Sequence, residues 1–288
     1  MRTLSARSAR CQRAFTLVEL AVVLTIVALL LSSLLFTLSA QVDQRNFEET
    51  RRRLDQAREL VLSYAIVKGR LPCPARYTSS ASHSQGMESF CTTAATSSTS
   101  TCVGAETTAE QSHGTCSNHY DGYLPAATLG TGQVDSDGFA VDAWGNRIRY
   151  AVARKNTNCS GTQTPPNTYT TMFTSKTYLQ QYGISCQPDD LLVCKSATGI
   201  TSSACGGAAN QIMSQSLVIA IAFSTGKNAT ATTGGTGTDE AANLNGDAIF
   251  VWHSPTPSDY SNGEFDDQFT WIAVGEVYGK LIAAGVLP

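Results

Sequence analysis

The longest apolar segment of the chain covers residues 15–40, where Glu19 is the only charged residue and neither Gly nor Pro occurs. A helix of this length is long enough to cross the hydrocarbon core of a bilayer, which is about 30 Å thick. The preceding residues 1–14 carry basic side chains and no acidic one, namely Arg2, Arg7, Arg10 and Arg13. Because basic flanks stay in the cytoplasm, we predict a cytoplasmic leader over 1–14 and a single transmembrane helix over 15–40 that exports the rest of the chain.

Helical spacing continues beyond the predicted membrane span. Between residues 41 and 68, apolar side chains recur every three or four positions, at Phe47, Leu54, Ala57, Val61, Tyr64 and Ala65. Gly69 follows the pattern, and Pro72 discourages further helix. We therefore predict that residues 41–68 form the exported half of one long helix, packed on a globular domain over residues 69–288.

The domain itself has two kinds of sequence. Residues 78–119 are rich in Ser and Thr and lack periodicity, which predicts a disulfide-stapled insertion. Further on, β-branched and aromatic runs between turn residues predict strands at 147–154, 191–194, 217–224, 248–253 and 269–272, and helical spacing returns over 274–284. A long helix followed by strands on short turns predicts an α+β fold, in which the helix covers one face of an antiparallel sheet.

Charge and cysteine content narrow the classes of function. The formal net charge is −3 and 15% of residues are charged, so no broad basic surface is expected for nucleic acid. The chain has nine cysteines, and Cys11 lies in the predicted leader. An even number remains for export, which predicts disulfides among Cys73, Cys91, Cys102, Cys116, Cys159, Cys186, Cys194 and Cys205. Short loops favour Cys91 with Cys102 and Cys194 with Cys205, and the other pairings stay open.

The junction between the basic leader and the apolar segment reads Arg13-Ala14-Phe15-Thr16-Leu17-Val18-Glu19-Leu20. It resembles the leader of type IV pilins and type II secretion pseudopilins. The resemblance implies that a prepilin peptidase cuts between Ala14 and Phe15, and that Phe15 is then N-methylated. It also implies a role for Glu19 in assembly, because its carboxylate can meet the freed Phe15 amine of a neighbouring subunit and lower the burial cost of both charges. The family usually has Gly in place of Ala14, so we expect slower processing.

Two simpler interpretations explain less of the N-terminus. A plain signal anchor accounts for the length and the arginines but not for the motif over 15–20, and a cleaved secretory signal has a shorter apolar core of about 7 to 15 residues.

The exported part also resembles a bacterial group of large prepilin-type proteins, through short motifs at residues 69–74, 122–125, 129–130, 142–145, 149–152, 224–228 and 265–267.

The resemblance implies a structural subunit, a minor pilin or pseudopilin of a type IV pilus or type II secretion filament. Such a subunit lies in the bacterial inner membrane with its C-terminal domain in the periplasm. Its partners are other pilin or pseudopilin subunits, the prepilin peptidase and the inner-membrane assembly platform. Major subunits of the family often carry Gly and Pro inside the hydrophobic helix, where this chain has Ala28 and Phe36. The alternative is a membrane-tethered periplasmic binding or adhesive module outside any filament, which would have no use for Glu19.

Few residues of the sequence suggest a catalytic or metal-binding site. The sequence shows no nucleophile with an identifiable base, so we predict that the protein is not an enzyme. Hard oxygen ligands in loops suit Ca²⁺, and major pseudopilins hold calcium in a C-terminal loop. The calcium candidates are Asp239, Glu240, Asn243, Asn245, Asp247, Asp266 and Asp267. Their spacing matches no EF-hand pattern, and the alternative is that they form turns and cap helices.

Overall fold

The structure is a computed structural model that describes residues 16–77, 86–95, 102, 104–154, 158–159, 171–229 and 234–287. The chain divides into two compact units, Met1–Asn46 and Phe47–Pro288. Helix α1, Leu17–Lys68, begins in the first unit and ends in the second. The predicted division of the chain at residues 1–14, 15–40, 41–68 and 69–288 stays a prediction.

In the second unit, α1 buries one face against the domain. Its buried side chains include Leu54, Ala57, Val61 and Ala65, whose spacing of three or four residues places them on one side of the helix. The helix ends at Lys68, and Gly69 follows in the left-handed region at φ 73°. The Gly69 N–H donates to the Ala65 carbonyl at 2.8 Å, which satisfies one of the carbonyls left open at the helix end.

The main sheet is antiparallel and has the strand order β11-β9-β4-β3. Its strands are β3 (Gly122–Tyr123), β4 (Arg149–Val152), β9 (Val218–Ser224) and β11 (Gln268–Ala273). The strands predicted over 147–154, 217–224 and 269–272 are confirmed. Every residue of β9 is buried, as expected for a central strand that is covered on both faces.

A second, smaller sheet is mixed. Strand β7 (Leu192–Cys194) lies between β10 (Ile249–Val251) and β8 (Gln211–Met213), which confirms the strands predicted over 191–194 and 248–253. The β7–β10 pair is parallel, so the prediction of antiparallel pairing is wrong for this sheet. Parallel neighbours need a long crossover, and the chain between them supplies it by passing through β8, β9 and α4.

Short elements complete the second unit. Two-residue strands pair as β1 (Phe90–Cys91) with β2 (Glu106–Thr107) and as β5 (Asn158–Cys159) with β6 (Cys186–Gln187). The remaining elements are α2 (Ala126–Leu129), α3 (Lys176–Tyr182), α4 (Thr238–Ala242), α5 (Val274–Ala283) and the 3-10 turns Gly183–Ser185 and Ala208–Asn210. Helix α5 confirms the helix predicted over 274–284. The predicted insertion at 78–119 therefore holds two short strands in its described part.

A buried ion pair joins the end of α1 to this insertion. The Arg70 guanidinium donates to both carboxylate oxygens of Glu88 at 2.8 Å, and the Tyr64 hydroxyl donates to the same carboxylate at 2.8 Å. The Arg70 side chain is only 1% exposed, so its charge relies on these partners and on Glu110. The network fixes the chain direction directly after α1.

Candidate functional sites

The first candidate site is the start of α1. The backbone N–H and hydroxyl of Thr16 both donate to Glu19 Oε2 at 2.9 Å, and the Glu19 N–H donates to Thr16 Oγ1 at 3.2 Å. This reciprocal pair is a capping box, in which a Thr and a Glu three residues later satisfy open N–H groups of the first turn. The sequence contains the Thr-x-x-Glu signal for it, and our sequence analysis missed it. The predicted cleavage pair, Ala14 and Phe15, lies outside the described residues.

Residues 17–31 of α1 carry large apolar side chains on every side of the helix. Their large side chains have exposed fractions between 43% and 85% and include Leu17, Val18, Leu20, Val22, Val23, Leu24, Ile26, Val27, Leu29, Leu30 and Leu31. Apolar surface on this scale marks an interaction with lipid or protein. Within the residues that the structure describes, no helix meets the combined length and hydropathy of a membrane span, so the predicted transmembrane helix over 15–40 is not confirmed.

The second candidate site is a buried acidic cluster, formed by Glu240 of α4 with Asp266 and Asp267 just before β11. One carboxylate oxygen from each residue lies within 4.8 Å of the others. Oxygens on opposite sides of a Ca²⁺ ion would be separated by about 4.6 to 5.2 Å, so this spacing matches a shared cation. We call these three residues the acidic cluster.

Hydrogen bonds hold each carboxylate of the acidic cluster in place. Asn228 Nδ2 donates to Glu240 Oε1 at 3.0 Å, and Asn243 Nδ2 donates to Asp267 Oδ2 at 2.7 Å. The Lys227 N–H donates to Asp266 Oδ2 at 2.8 Å. The second oxygens of Asp266 and Asp267, and the amide oxygen of Asn228, are buried and have no hydrogen-bond partner among the residues that the structure describes. Three unpartnered oxygens around one cluster are costly unless they receive a proton or a cation.

Two glycines let the backbone approach these oxygens closely. A methyl group at Gly226 would collide with Asp266 Oδ1, and one at Gly235 would collide with Glu240 Oε2 and Asn228 Oδ1. Gly226 also has φ 69°, in the left-handed region that favours glycine. The chain therefore brings backbone close to the carboxylates where any side chain would displace them.

Burial raises the pKa of two members of the cluster. The pKa of Asp266 rises to about 6, because burial and the nearby Glu240 charge outweigh the hydrogen bonds from Lys227 and Asn228. Burial raises the pKa of Asp267 well above its ordinary range, and only the hydrogen bond from Asn243 opposes the shift. In both groups, burial shifts the equilibrium toward the protonated form.

Comparison with known proteins bears on the first site. Residues 9–35 match a family model described as the prokaryotic N-terminal methylation motif. The chain carries the N-terminal signature of a type IV pilin-like prepilin-peptidase substrate. No curated protein and no solved structure matches the chain. The matched segment contains both the predicted cleavage pair and Glu19.

The calcium candidates fall into two sets. Glu240, Asp266 and Asp267 come together, with Asn243 bound to Asp267. The other three candidates, Asp239, Asn245 and Asp247, make hydrogen bonds to residues outside the acidic cluster. Asp239 faces His253 and Asn262, while Asn245 and Asp247 bond to each other across a turn, as the alternative of turn-forming acids predicts. Asn228, which the sequence analysis missed, contributes an unpartnered oxygen to the cluster.

The donor set fits a hard cation. Carboxylate and amide oxygens are the ligands that Ca²⁺ prefers, and the unpartnered oxygens of Asn228, Asp266 and Asp267 are free to take it. When bound, the ion would supply the positive charge that the buried carboxylates lack. Glu240, Asp266 and Asp267 would be its charged ligands.

Seven cysteines of the second unit are disulfide-bonded. Among the described residues, disulfides join Cys73 to Cys116, Cys91 to Cys102 and Cys194 to Cys205, with Cα atoms 5.4, 5.5 and 5.5 Å apart. The two short-loop pairings that the spacing favours are thus present. Cys186 is also disulfide-bonded, and the β5–β6 register places Cys159 opposite it.

Proposed function

We propose that the chain is a minor pilin or pseudopilin, a structural subunit of a type IV pilus or type II secretion filament. It is cleaved before Phe15, N-methylated there and held in the inner membrane by residues 15–40, with the second unit in the periplasm. The methylation motif at residues 9–35 carries the proposal. No chemistry is required of the subunit, so an enzymatic activity is not part of the proposal.

The start of α1 supports a role in a filament. Its apolar side chains are exposed all around the helix, which suits lipid before assembly and neighbouring helices after it. Glu19 lies among them as the only charge of residues 15–40. A carboxylate in such surroundings needs a compensating charge, and the freed amine of Phe15 on a neighbouring subunit provides one.

Features of the long helix favour a minor subunit. Helix α1 contains neither Gly nor Pro from Leu17 to Lys68, whereas major subunits of the family often carry both in the hydrophobic part. Ala28 and Phe36 occupy those positions here. The large second unit, with its disulfide-stapled insertion, fits a low-copy subunit better than one that repeats along a whole filament.

A shearing experiment distinguishes a filament subunit from a membrane-tethered module. Filaments are sheared from cells that express the chain with a complete assembly system, and from cells that lack the assembly ATPase. A filament subunit appears in the sheared fraction only in the first strain, with sparse immunogold label on the filaments. A membrane-tethered module stays with the cells in both strains, and evenly spread label would argue for a major subunit.

We also propose that the acidic cluster binds Ca²⁺, because two of its three carboxylates and the neighbouring Asn228 amide each present a buried oxygen with no hydrogen-bond partner among the described residues. The cation would join the loops around Asn228, α4 and the start of β11, in the part of the chain that follows the last cysteine, Cys205. A structural role follows, since a ligand that binds only the folded state stabilises it.

Calcium binding is tested on the purified full chain by thermal unfolding with Ca²⁺ or EDTA, and by Tb³⁺ luminescence. At about 100 times the Kd, Ca²⁺ adds about 2.7 kcal/mol of stability, a shift that a melting curve resolves. Asp267→Asn should abolish the shift and the luminescence, while Asp259→Asn, an exposed acid, serves as the matched control. A melting temperature that is equal in Ca²⁺ and EDTA, with no Tb³⁺ signal, contradicts the proposal.

A further inference from the structure

A polar cavity of about 580 Å³ lies beside α4, apart from the acidic cluster. Its walls come from the segment after β7, from Asp239 of α4, from the residues that follow β10 and from the loop 256–262. We call it the α4–β10 pocket. Its volume lies within the range of about 300 to 1,000 Å³ that small-molecule sites occupy.

One wall of the α4–β10 pocket is polar and fixed. The Asp239 side chain is held by the Ala197 N–H, by His253 Nε2 at 3.1 Å and by Asn262 Nδ2 at 3.1 Å from both carboxylate oxygens. Asp239 is only 2% exposed. The disulfide between Cys194 and Cys205 anchors the segment that carries Ala197. These polar groups are therefore positioned before any ligand arrives.

The polar wall brings four oxygens close together. All four lie within 3.4 Å of Asn262 Nδ2, namely both of Asp239, Ser196 Oγ and Thr198 Oγ1. Other groups of the wall also donate to them, because the Ala197 and Thr198 N–H groups donate to Asp239 Oδ1 and Ser196 Oγ, and the Ser196 hydroxyl donates to Thr198 Oγ1. Carboxylate and hydroxyl oxygens accept more than one hydrogen bond, so hydroxyl groups of a ligand are suited to join this network.

Aromatic rings form the rest of the pocket. Tyr260 is 52% exposed at the rim, and Trp252 lines the wall with its ring set edge-on to Trp271 at 5.5 Å. Exposed aromatic faces take up C–H groups, and their polar edges tolerate water. A ligand that presents both hydroxyl groups and C–H faces matches this combination.

The charges in the lining argue against an ionic ligand. Among the described residues that line the pocket, Asp239 is the only carboxylate and Lys195 the only ammonium group. A strongly anionic ligand would meet the buried carboxylate, and a cationic one would meet the lysine. Opposite charges that offset each other favour a neutral ligand.

We propose that the α4–β10 pocket binds a neutral saccharide, with ring hydroxyls on Asp239, Ser196 and Thr198 and a sugar face against Tyr260. This inference goes beyond the filament proposal and does not rest on it, because a filament subunit and a tethered module could both carry such a site. It also differs from the calcium proposal, since Asp239 is not a member of the acidic cluster.

The test titrates neutral trisaccharides into the full chain, purified in a polyoxyethylene detergent that has no sugar headgroup. The probes are maltotriose, cellotriose and tri-N-acetylchitotriose, with trialanine as a peptide probe. Binding is followed by saturation-transfer NMR on the probe and by tryptophan fluorescence. Tyr260→Phe keeps the ring, Tyr260→Ala removes it, and Tyr77→Ala removes a comparably exposed ring at a distant site.

We expect at least one trisaccharide to bind saturably. Tyr260→Ala should weaken that binding about tenfold, equal to about 1.4 kcal/mol, whereas Tyr260→Phe and Tyr77→Ala change it less than about twofold. Melting curves confirm that each variant is folded. The proposal is overturned if no trisaccharide saturates, if trialanine binds in their place, or if a folded Tyr260→Ala binds as well as wild type.

Discussion

At the scale of single residues, Glu19 has a capping role in the structure and a second role in the proposed assembly. From the resemblance to pilins, we expect the Glu19 carboxylate to pair with the Phe15 amine of a neighbouring subunit. The structure gives it a partner in its own chain, because Thr16 and Glu19 form a capping box at the start of α1. Capping uses hydrogen bonds and assembly uses charge, so the two roles respond differently to substitution.

Glu19→Gln separates these roles, because Gln can close a capping box but carries no charge. We expect both Glu19→Gln and Glu19→Ala to reach the membrane at the wild-type level, with a protease-resistant second unit, and to be lost from sheared filaments. The measurement is the amount in the filament fraction divided by the amount in the membrane. Wild-type incorporation of Glu19→Gln would show that the charge is not needed and would favour the tethered module.

Asp266 makes stability depend on pH when no cation is present. Its pKa is raised from 3.8 to about 6, so the folded state keeps a proton that the unfolded state has already released. This contribution is fully present below pH 3.8 and is lost as the pH rises through about 6. We expect the melting temperature in EDTA to fall across this window, and to fall less in Asp266→Asn. An identical pH profile for the two proteins would contradict the assignment.

At the scale of elements, the end of α1 depends on a buried charge. Removing one partner of a buried ion pair leaves the other charge buried and uncompensated, which lowers the free energy of unfolding by about 3 to 5 kcal/mol. We expect Arg70→Ala to destabilise the second unit by this amount, because Glu88 would keep a buried charge without its partner. The matched control is Arg52→Ala on the exposed face of α1, where the pair with Glu49 is worth at most about 1 kcal/mol. Urea unfolding, followed by near-ultraviolet circular dichroism, measures both, and equal losses would refute the distinction.

The short pairs β1–β2 and β5–β6 contribute little hydrogen bonding, so disulfides hold the parts of the chain around them. We expect all eight cysteines that follow the leader to be oxidised in the mature protein. Alkylation of the denatured, unreduced protein followed by mass spectrometry counts the free thiols. Two or more modified thiols per chain would be incompatible with this expectation.

Strands and helices were predictable where one local signal dominated. Strand β9 is a continuous β-branched and apolar run, the first half of α1 is a long apolar segment, and the rest of α1 and α5 show helical spacing, so a local signal identified each of them. The parallel β7–β10 pair was not predictable, because strand direction depends on the path of the intervening chain. Asn228 was missed at the acidic cluster for a similar reason: nothing local to it shows that Glu240 lies across the fold.

At the scale of the whole molecule, the account rests on processing at the N-terminus. The family match over residues 9–35 supports a prepilin-peptidase substrate, and the exposed apolar turns after Glu19 supply a surface for membrane and neighbours. In the proposed function, filament entry requires that the leader is removed, because removal releases the Phe15 amine that would meet a neighbouring carboxylate. Cleavage at Ala14–Phe15 is therefore the event on which the remaining proposals about assembly depend.

The most direct test is the N-terminus of the mature protein, read by mass spectrometry of its first peptide from membranes with and without an active prepilin peptidase. The account predicts a peptide that begins at Phe15 and carries one N-terminal methyl group in the first case, and an intact leader in the second. Restoring the usual glycine with Ala14→Gly should speed the conversion. A chain that keeps residues 1–14 in the presence of the peptidase, or that is cut at another position, would contradict the central claim.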